Sequence, residues 1–179
     1  MLLVCSAFDK ELIGLNLSID HDRALLGIGF LEAAINLETI VNKKKYQKII
    51  FIGTAGSYSK NYSIGDSVSV SETRLLLRKD AHIPKPYPIY KLELIDNLKS
   101  AICFSSLDIS LNQSLCHAND FVENMELYGV AKIADKYQIS CSAILGITNY
   151  ANANAHQDWL SNNEKVSIQT CHIANNFIK

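Results

Sequence analysis

The sequence predicts one α/β domain over residues 1–179, built in three layers with a mainly parallel central sheet flanked by helices. Three observations predict it. Short apolar, β-branched runs (Met1 to Ala7, Ile49 to Ile52, Cys141 to Ile147) have the length and composition of strands covered on both faces. Segments with apolar residues at helical spacing alternate with them. The polar and glycine-rich clusters follow these strands or open a helix, and in open α/β sheets ligands bind at the carboxyl ends of the strands.

In chain order, Met1 to Ala7 reads as the first buried strand, and Phe8 to Leu12 as a polar turn into a short helical or irregular piece. Ala24 to Leu26 is a second short strand, ended by Gly27-Ile28-Gly29. Phe30 to Asn42 is a helix whose Phe30, Ala33, Ala34, Leu37 and Val41 share a face. Leu31 and Ile35 fall outside that stripe, which predicts a helix buried on more than one side. Ile49 to Ile52 is the core strand, and Gly53-Thr54-Ala55-Gly56 is a small-residue turn that lets a ligand approach the backbone. A polar loop, Tyr58 to Ser63, leads through Ile64-Gly65-Asp66 to an alternating strand, Ser67 to Glu72. All three prolines lie within Arg74 to Tyr90, which reads as a surface loop. Leu92 to Leu98 is expected as a short helix, Ile102 to Leu111 as one or two strands, and Val122 to Lys136 as a helix. Cys141 to Ile147 is a buried strand, Thr148 to Gln157 a polar loop, and Asp158 to Ile178 a final helix.

A formal net charge of −1 gives no electrostatic reason to expect nucleic acid or an anionic membrane as partner. Lys43-Lys44-Lys45 sits where a helix should end and complements its dipole. No apolar run approaches transmembrane length, and Asp9 interrupts an N-terminus without a basic region, so no signal peptide is expected. The five cysteines form no CxxC and no metal spacing. They read as reduced residues of a cytoplasmic protein, and no metal is expected.

Five segments carry chemistry. They are Ser6 to Glu11, Gly27-Ile28-Gly29, the run Lys48 to Glu72, Val122-Glu123-Asn124-Met125-Glu126, and Gly146-Ile147-Thr148-Asn149-Tyr150 with Trp159 ten residues beyond Asn149. In this order they resemble the purine nucleoside phosphorylase and nucleosidase family. The resemblance implies a purine nucleoside as substrate, no cofactor, and Thr54, Ala55, Gly56, Asn124, Met125 and Glu126 as substrate-binding residues. Glu11 falls on the water-activating glutamate, Met125 on the methionine that packs against the sugar, and Glu126 on the glutamate that binds the ribose hydroxyls. Asn149 stands in the purine-recognition loop, where methylthioadenosine nucleosidases carry an aspartate. Its amide can donate to the two acceptors of hypoxanthine, N7 and O6, as an ionised aspartate cannot. Glu11 and Asn149 are thus the expected catalytic residues.

Within the family the pattern is most similar to futalosine hydrolases, which implies menaquinone biosynthesis, or to methylthioadenosine/S-adenosylhomocysteine nucleosidases. The nucleophile separates hydrolase from phosphorylase. A phosphate site needs several arginines, and this chain has only Arg23, Arg74 and Arg78, with Phe51 where hexameric phosphorylases carry a phosphate-binding arginine. Water is therefore expected; a phosphorylase and a catalytically weak nucleoside-binding homologue are the alternatives. Compared with the family the chain is short, between Leu12 and Ala24 and before Val122, and the second region normally supplies a residue that stacks on the purine. The resemblance also implies a homodimer, with Arg74 to Tyr90 near the interface, where Ile83, Tyr87 and Tyr90 would otherwise form an exposed patch.

Overall fold

The computed structural model describes residues 1–76, 86–106 and 120–178. Strand β1 (Leu2–Ser6) is buried throughout because it lies inside the sheet, parallel both to β2 (His21–Leu25) and to β3 (Lys48–Ser57). Its residues alternate between two cores. Leu3 and Cys5 join Ile49, Phe51 and the buried faces of helices α1 (Phe30–Lys43) and α2 (Leu127–Tyr137). Leu2 and Val4 join Ile50, Ile52, Ile144 and residues of helix α3 (Ala155–Phe177). The three layers follow from this two-residue period.

The sheet itself departs from the expectation. Strand β4 (Ser67–Leu75) runs antiparallel to β8 (Ser140–Tyr150) and to β5 (Tyr90–Lys91), and parallel to β6 (Lys99–Ser105). Strand β7 (Phe121–Glu123) is parallel to β6 and antiparallel to β3. Since β8 also pairs with β3, the strands β3, β7, β6, β4 and β8 close on themselves. The sheet is mixed and partly barrel-like, not mainly parallel, because closure removes exposed edges and here uses antiparallel joins.

Several local expectations also change. Gly53-Thr54-Ala55-Gly56 is not a turn but the buried end of β3, and Thr148 to Tyr150 ends β8 rather than opening a loop. Leu92 to Leu98 is not a helix. The Leu92 N–H bonds Ser71 O, Glu93 N–H bonds Cys141 O and Ile95 N–H bonds Ser69 Oγ, so the sheet takes backbone groups that an isolated short helix could not satisfy as well. Val122 to Lys136 divides into β7 and α2, because Asn124 Oδ1 accepts from the backbone N–H groups of Glu126 and Leu127 and starts the helix only there. Leu31 and Ile35, expected to be buried, are 64% and 53% exposed, so α1 has one buried face formed by Ala33, Leu37 and Val41. The last helix begins at Ala155 rather than Asp158. Part of the segment Arg74 to Tyr90, with Arg78 and Ile83, lies outside the described residues, as do Cys116 and positions 107–111 of the expected Ile102 to Leu111 strands.

Helix α2 reaches the start of α1 because residue 129 is glycine: a Cβ there would overlap the Phe30 carbonyl. Gly129→Ala should force the two helices apart and lower unfolding stability by about 1–3 kcal/mol, the usual cost of overpacking. Urea denaturation followed by circular dichroism checks this, and an unchanged midpoint would exclude the close approach.

Candidate active site

Strand β8 covers the whole of one edge of β3. On the other edge β1 pairs with Lys48 to Phe51 and β7 pairs with Gly56 and Ser57, so no described strand covers Ile52 to Ala55. Two side chains fill the gap. Glu11, on a short 3-10 helix (Asp9–Leu12) after β1, is 2% exposed. Its Oε1 accepts from the Thr54 N–H at 2.9 Å and the Thr54 hydroxyl at 3.0 Å, and its Oε2 accepts from the Ala7 N–H at 3.0 Å. A carboxylate oxygen has two lone-pair directions, so Oε1 is saturated and Oε2 keeps one acceptor direction. Asn124 donates from Nδ2 to the Thr54 carbonyl at 3.0 Å and to Glu126 Oε2 at 2.9 Å. Both its amide hydrogens and its Oδ1 are thus engaged within the protein, and the residue also lines the cavity described below.

Glu126 precedes α2 and takes the Gly29 N–H on Oε1 at 2.8 Å and the Asn124 amide on Oε2. Each of its oxygens therefore keeps one acceptor direction. The Gly27-Ile28-Gly29 segment thus serves as a donor to this carboxylate. Burial, and then the charge of Glu126, push the Glu11 carboxyl up to about 8, against three hydrogen bonds that pull it down. Burial likewise raises Glu126, opposed by its bonds from Gly29 and Asn124.

The Trp159 indole N–H reaches the Thr54 hydroxyl at 3.3 Å, which links α3 to the same cluster. Phe8 stands edge-on to Trp159, and His156 stacks on it. These rings, with Ile28, Met125, Ala55 and the carboxylates, line a cavity of about 310 Å³. No Lys or Arg lines it among the described residues. Arg23 is engaged by Leu15 O and His21, and Arg74 by Glu72. Two larger clefts, of about 540 and 630 Å³, lie elsewhere, and their carboxylates (Asp96; Glu93 and Asp135) are exposed rather than buried.

At the far end of the cavity, Asn149 of β8 and Glu123 of β7 both stand in register with Gly56 of β3. Asn149 Oδ1 lies 2.8 Å from the Thr148 hydroxyl, and Nδ2 is 3.3 Å from Tyr150 O. The structure thus brings together Glu11, Thr54, Ala55, Gly56, Asn124, Met125, Glu126 and Asn149 around one space. Glu123, Phe8, Ile28 and His156 join them without having been expected. Glu123 escapes sequence reading because a helical reading of Val122 to Lys136 gives it no register with Gly56. Reading Phe121 to Glu123 as a strand would supply that register. Among the described residues no group of three His, Cys, Asp or Glu is placed to hold a metal.

The raised Glu11 carboxyl has a consequence for stability. The ordinary value is 4.5, so between 4.5 and about 8 the folded chain holds a proton that the unfolded chain has lost. Glu11's contribution is therefore complete below 4.5 and is lost as pH rises through about 8. Wild-type stability should fall across this window, by up to about 1.4 kcal/mol per pH unit from this group. Glu11→Gln should flatten the fall. Equal slopes for the two proteins in urea titrations at pH 5 to 9 would exclude the raised carboxyl.

No protein-family model matches the chain, and no curated protein does. Solved structures do. A mutant of the Helicobacter pylori 5′-methylthioadenosine/S-adenosylhomocysteine nucleosidase, with 5′-methylthioadenosine in the active site, superposes with a TM-score of 0.83 at 15% identity, over 99% of this chain and 97% of that one. The futalosine hydrolase of the same organism gives 0.82 at 15% identity, over 99% and 96%. A Borrelia burgdorferi protein described as a nucleosidase of the first kind, bound to adenine, gives 0.81 at 20% identity, over 99% of each chain. The chain has the fold of the nucleoside phosphorylase-like nucleosidases.

Proposed function

We propose that this chain hydrolyses the N-ribosidic bond of a purine nucleoside and releases the free base. The observation that carries the reading is that two of the buried carboxylates in the cavity, Glu11 and Glu126, stand near one another with acceptor capacity left, with no Lys or Arg in the described lining. The solved neighbours that hold 5′-methylthioadenosine and adenine agree with a purine nucleoside as ligand.

Each residue then has a role. Glu126 offers one acceptor direction on each oxygen, which suits the two hydroxyls of a ribose cis-diol. Its charge stabilises the cation that develops on the sugar as the bond to the base breaks. Met125 packs against the sugar. Glu11 takes the proton of the attacking water on Oε2, and the water oxygen bonds to the anomeric carbon as the electron pair of the N-ribosidic bond leaves with the base. The Asn149 amide donates to the departing base, which takes its proton from solvent. With its Oδ1 taken by Thr148 and its Nδ2 also reaching Tyr150 O, Asn149 meets the base as a donor, and the reading favours a hypoxanthine nucleoside such as futalosine, whose N7 and O6 are both acceptors.

A homodimer and a cytoplasmic location belong to the same reading. Tyr87 and Ile89 are about half exposed, as an interface would require, whereas Tyr90 packs on Tyr128 at 5.2 Å and adds nothing to such a patch. Cys5, Cys103, Cys141 and Cys171 are buried and unpaired, as in a reducing compartment.

Inosine, futalosine and adenosine should be assayed for base release with and without phosphate. Release should be independent of phosphate. Glu11→Gln should lower turnover by a factor of about 10² to 10⁴ with nucleoside affinity nearly unchanged. Phosphate-dependent formation of ribose 1-phosphate would replace water as the nucleophile, and binding without turnover would leave a nucleoside-binding protein.

A further inference from the structure

We propose that Cys171 and Asn175 are positioning residues for the proposed base: from one face of α3 they hold the backbone of the segment that carries Glu11, and so set where its Oε2 stands in the cavity. The proposal rests on the reading that Glu11 takes a proton from water. The segment needs outside support. Its 3-10 helix, Asp9–Leu12, is four residues long. Its turns close through long backbone bonds, Glu11 N–H to Phe8 O at 3.2 Å and Ile13 N–H to Lys10 O at 3.4 Å. A helical piece this short does not hold itself in water.

Helix α3 supplies the support. Cys171, fully buried, donates from Sγ to the Glu11 carbonyl at 3.2 Å. Burial, and then the charge of Glu11, push the Cys171 thiol up to about 11, so it keeps the hydrogen that it donates. Asn175 stands one turn further along the same face. Its Nδ2 donates to Gly14 O at 2.9 Å, and its Oδ1 accepts from the Asn16 N–H at 2.7 Å. Gly14, at φ +85°, makes the turn at this contact. Leu12 and Leu15 fill the same core as Cys171 and Ala174, so the segment is packed as well as bonded against α3.

The consequence falls on one oxygen of the carboxylate. Oε1 is pinned to β3 by the Thr54 N–H and hydroxyl, whereas Oε2 has the Ala7 N–H alone. With Oε1 pinned, a drift of the Glu11 backbone swings Oε2, the oxygen that takes the proton. A misplacement of about 1 Å at a reacting group costs about a hundredfold in rate. Neither Cys171 nor Asn175 lines the cavity, so a loss through them separates positioning from binding.

The test pairs steady-state kinetics on inosine with amide hydrogen exchange followed by NMR, on the intact protein. Cys171→Ala and Asn175→Ala should each lower kcat about tenfold and together about a hundredfold, with KM within about twofold. Cys171→Ser keeps a donor and should stay within about twofold of wild type. In both alanine variants the Ala7 and Thr54 amides, which bond Glu11, should exchange about tenfold faster, while Ile49 to Ile52 exchange as in wild type. Unchanged kcat in both alanine variants, a serine variant as slow as the alanine one, or faster exchange along the whole of β3 would overturn the proposal. Asn175 is half-buried and bonds a surface turn, so its variant decides even if a change at Cys171 prevents folding. If wild type cleaves no nucleoside, the hydrolase reading falls, and the selective exchange at Ala7 and Thr54 alone supports the clamp or, if absent, removes it. If wild type cleaves nucleosides and the variants turn over equally fast, the hydrolase reading stands and the clamp falls.

Discussion

Thr54 lies where the edge of β3 passes from β1 to β7, and its backbone N–H and C=O face no strand there. A buried peptide group left unpaired costs about 1–3 kcal/mol, so the gap must be filled. The fold fills it with side chains. Glu11 takes the N–H and Asn124 takes the C=O. The Thr54 hydroxyl joins in, donating to Glu11 and lying within reach of Trp159. One residue of the central strand thus fixes Glu11 directly and Glu126 through Asn124, with little freedom left to either. The proposed base and the proposed diol-binding group are set by completion of the sheet, and their spacing is as rigid as the strand itself.

That arrangement opposes electrostatics. Two carboxylates are buried near one another, and desolvation and mutual repulsion raise Glu11 to about 8. The hydrogen bonds from Thr54, Ala7, Gly29 and Asn124 offset part of the cost and keep the groups in place. A positively charged sugar between the two would relieve the rest. In the proposed reaction a developing oxocarbenium ion would be that charge, and a site that meets it better than a neutral ground state is the differential binding that lowers a barrier. An additional anion such as phosphate would worsen the repulsion, and no described Lys or Arg in the lining offsets it.

Much of this was legible in the sequence where one local signal dominated. The apolar runs of β1, β3 and β8 had the composition of covered strands, and Glu11, Glu126 and Asn149 lay in motifs whose order carried the resemblance. What stayed hidden depends on pairings between distant segments. Thr54 to Gly56 and Thr148 to Tyr150 looked like turn chemistry, yet they remain in strands because β3 and β8 pair along their whole length, with a bulge between Ala55 and Gly56. Leu92 to Ile95 has no helix because Ser69, Ser71 and Cys141 take its N–H groups. The apolar Leu31 and Ile35 looked like a second buried side of α1, but the sheet covers only one.

The mixed sheet is not incidental to the site. Because β7 runs antiparallel to β3, the chain that leaves Glu123 opposite Gly56 travels back along β3 toward Thr54. The next residue is Asn124, and that reversed direction delivers its amide to the Thr54 carbonyl in the gap. Asn124 then takes the first N–H groups of α2, so the helix begins at once and Glu126 faces Glu11's end of the cavity. In a parallel pairing the chain after Glu123 would run away from Thr54, and the gap would need another partner. Three consecutive tasks therefore follow from one strand direction: Glu123 beside Gly56, Asn124 in the gap, and Glu126 at the start of the helix.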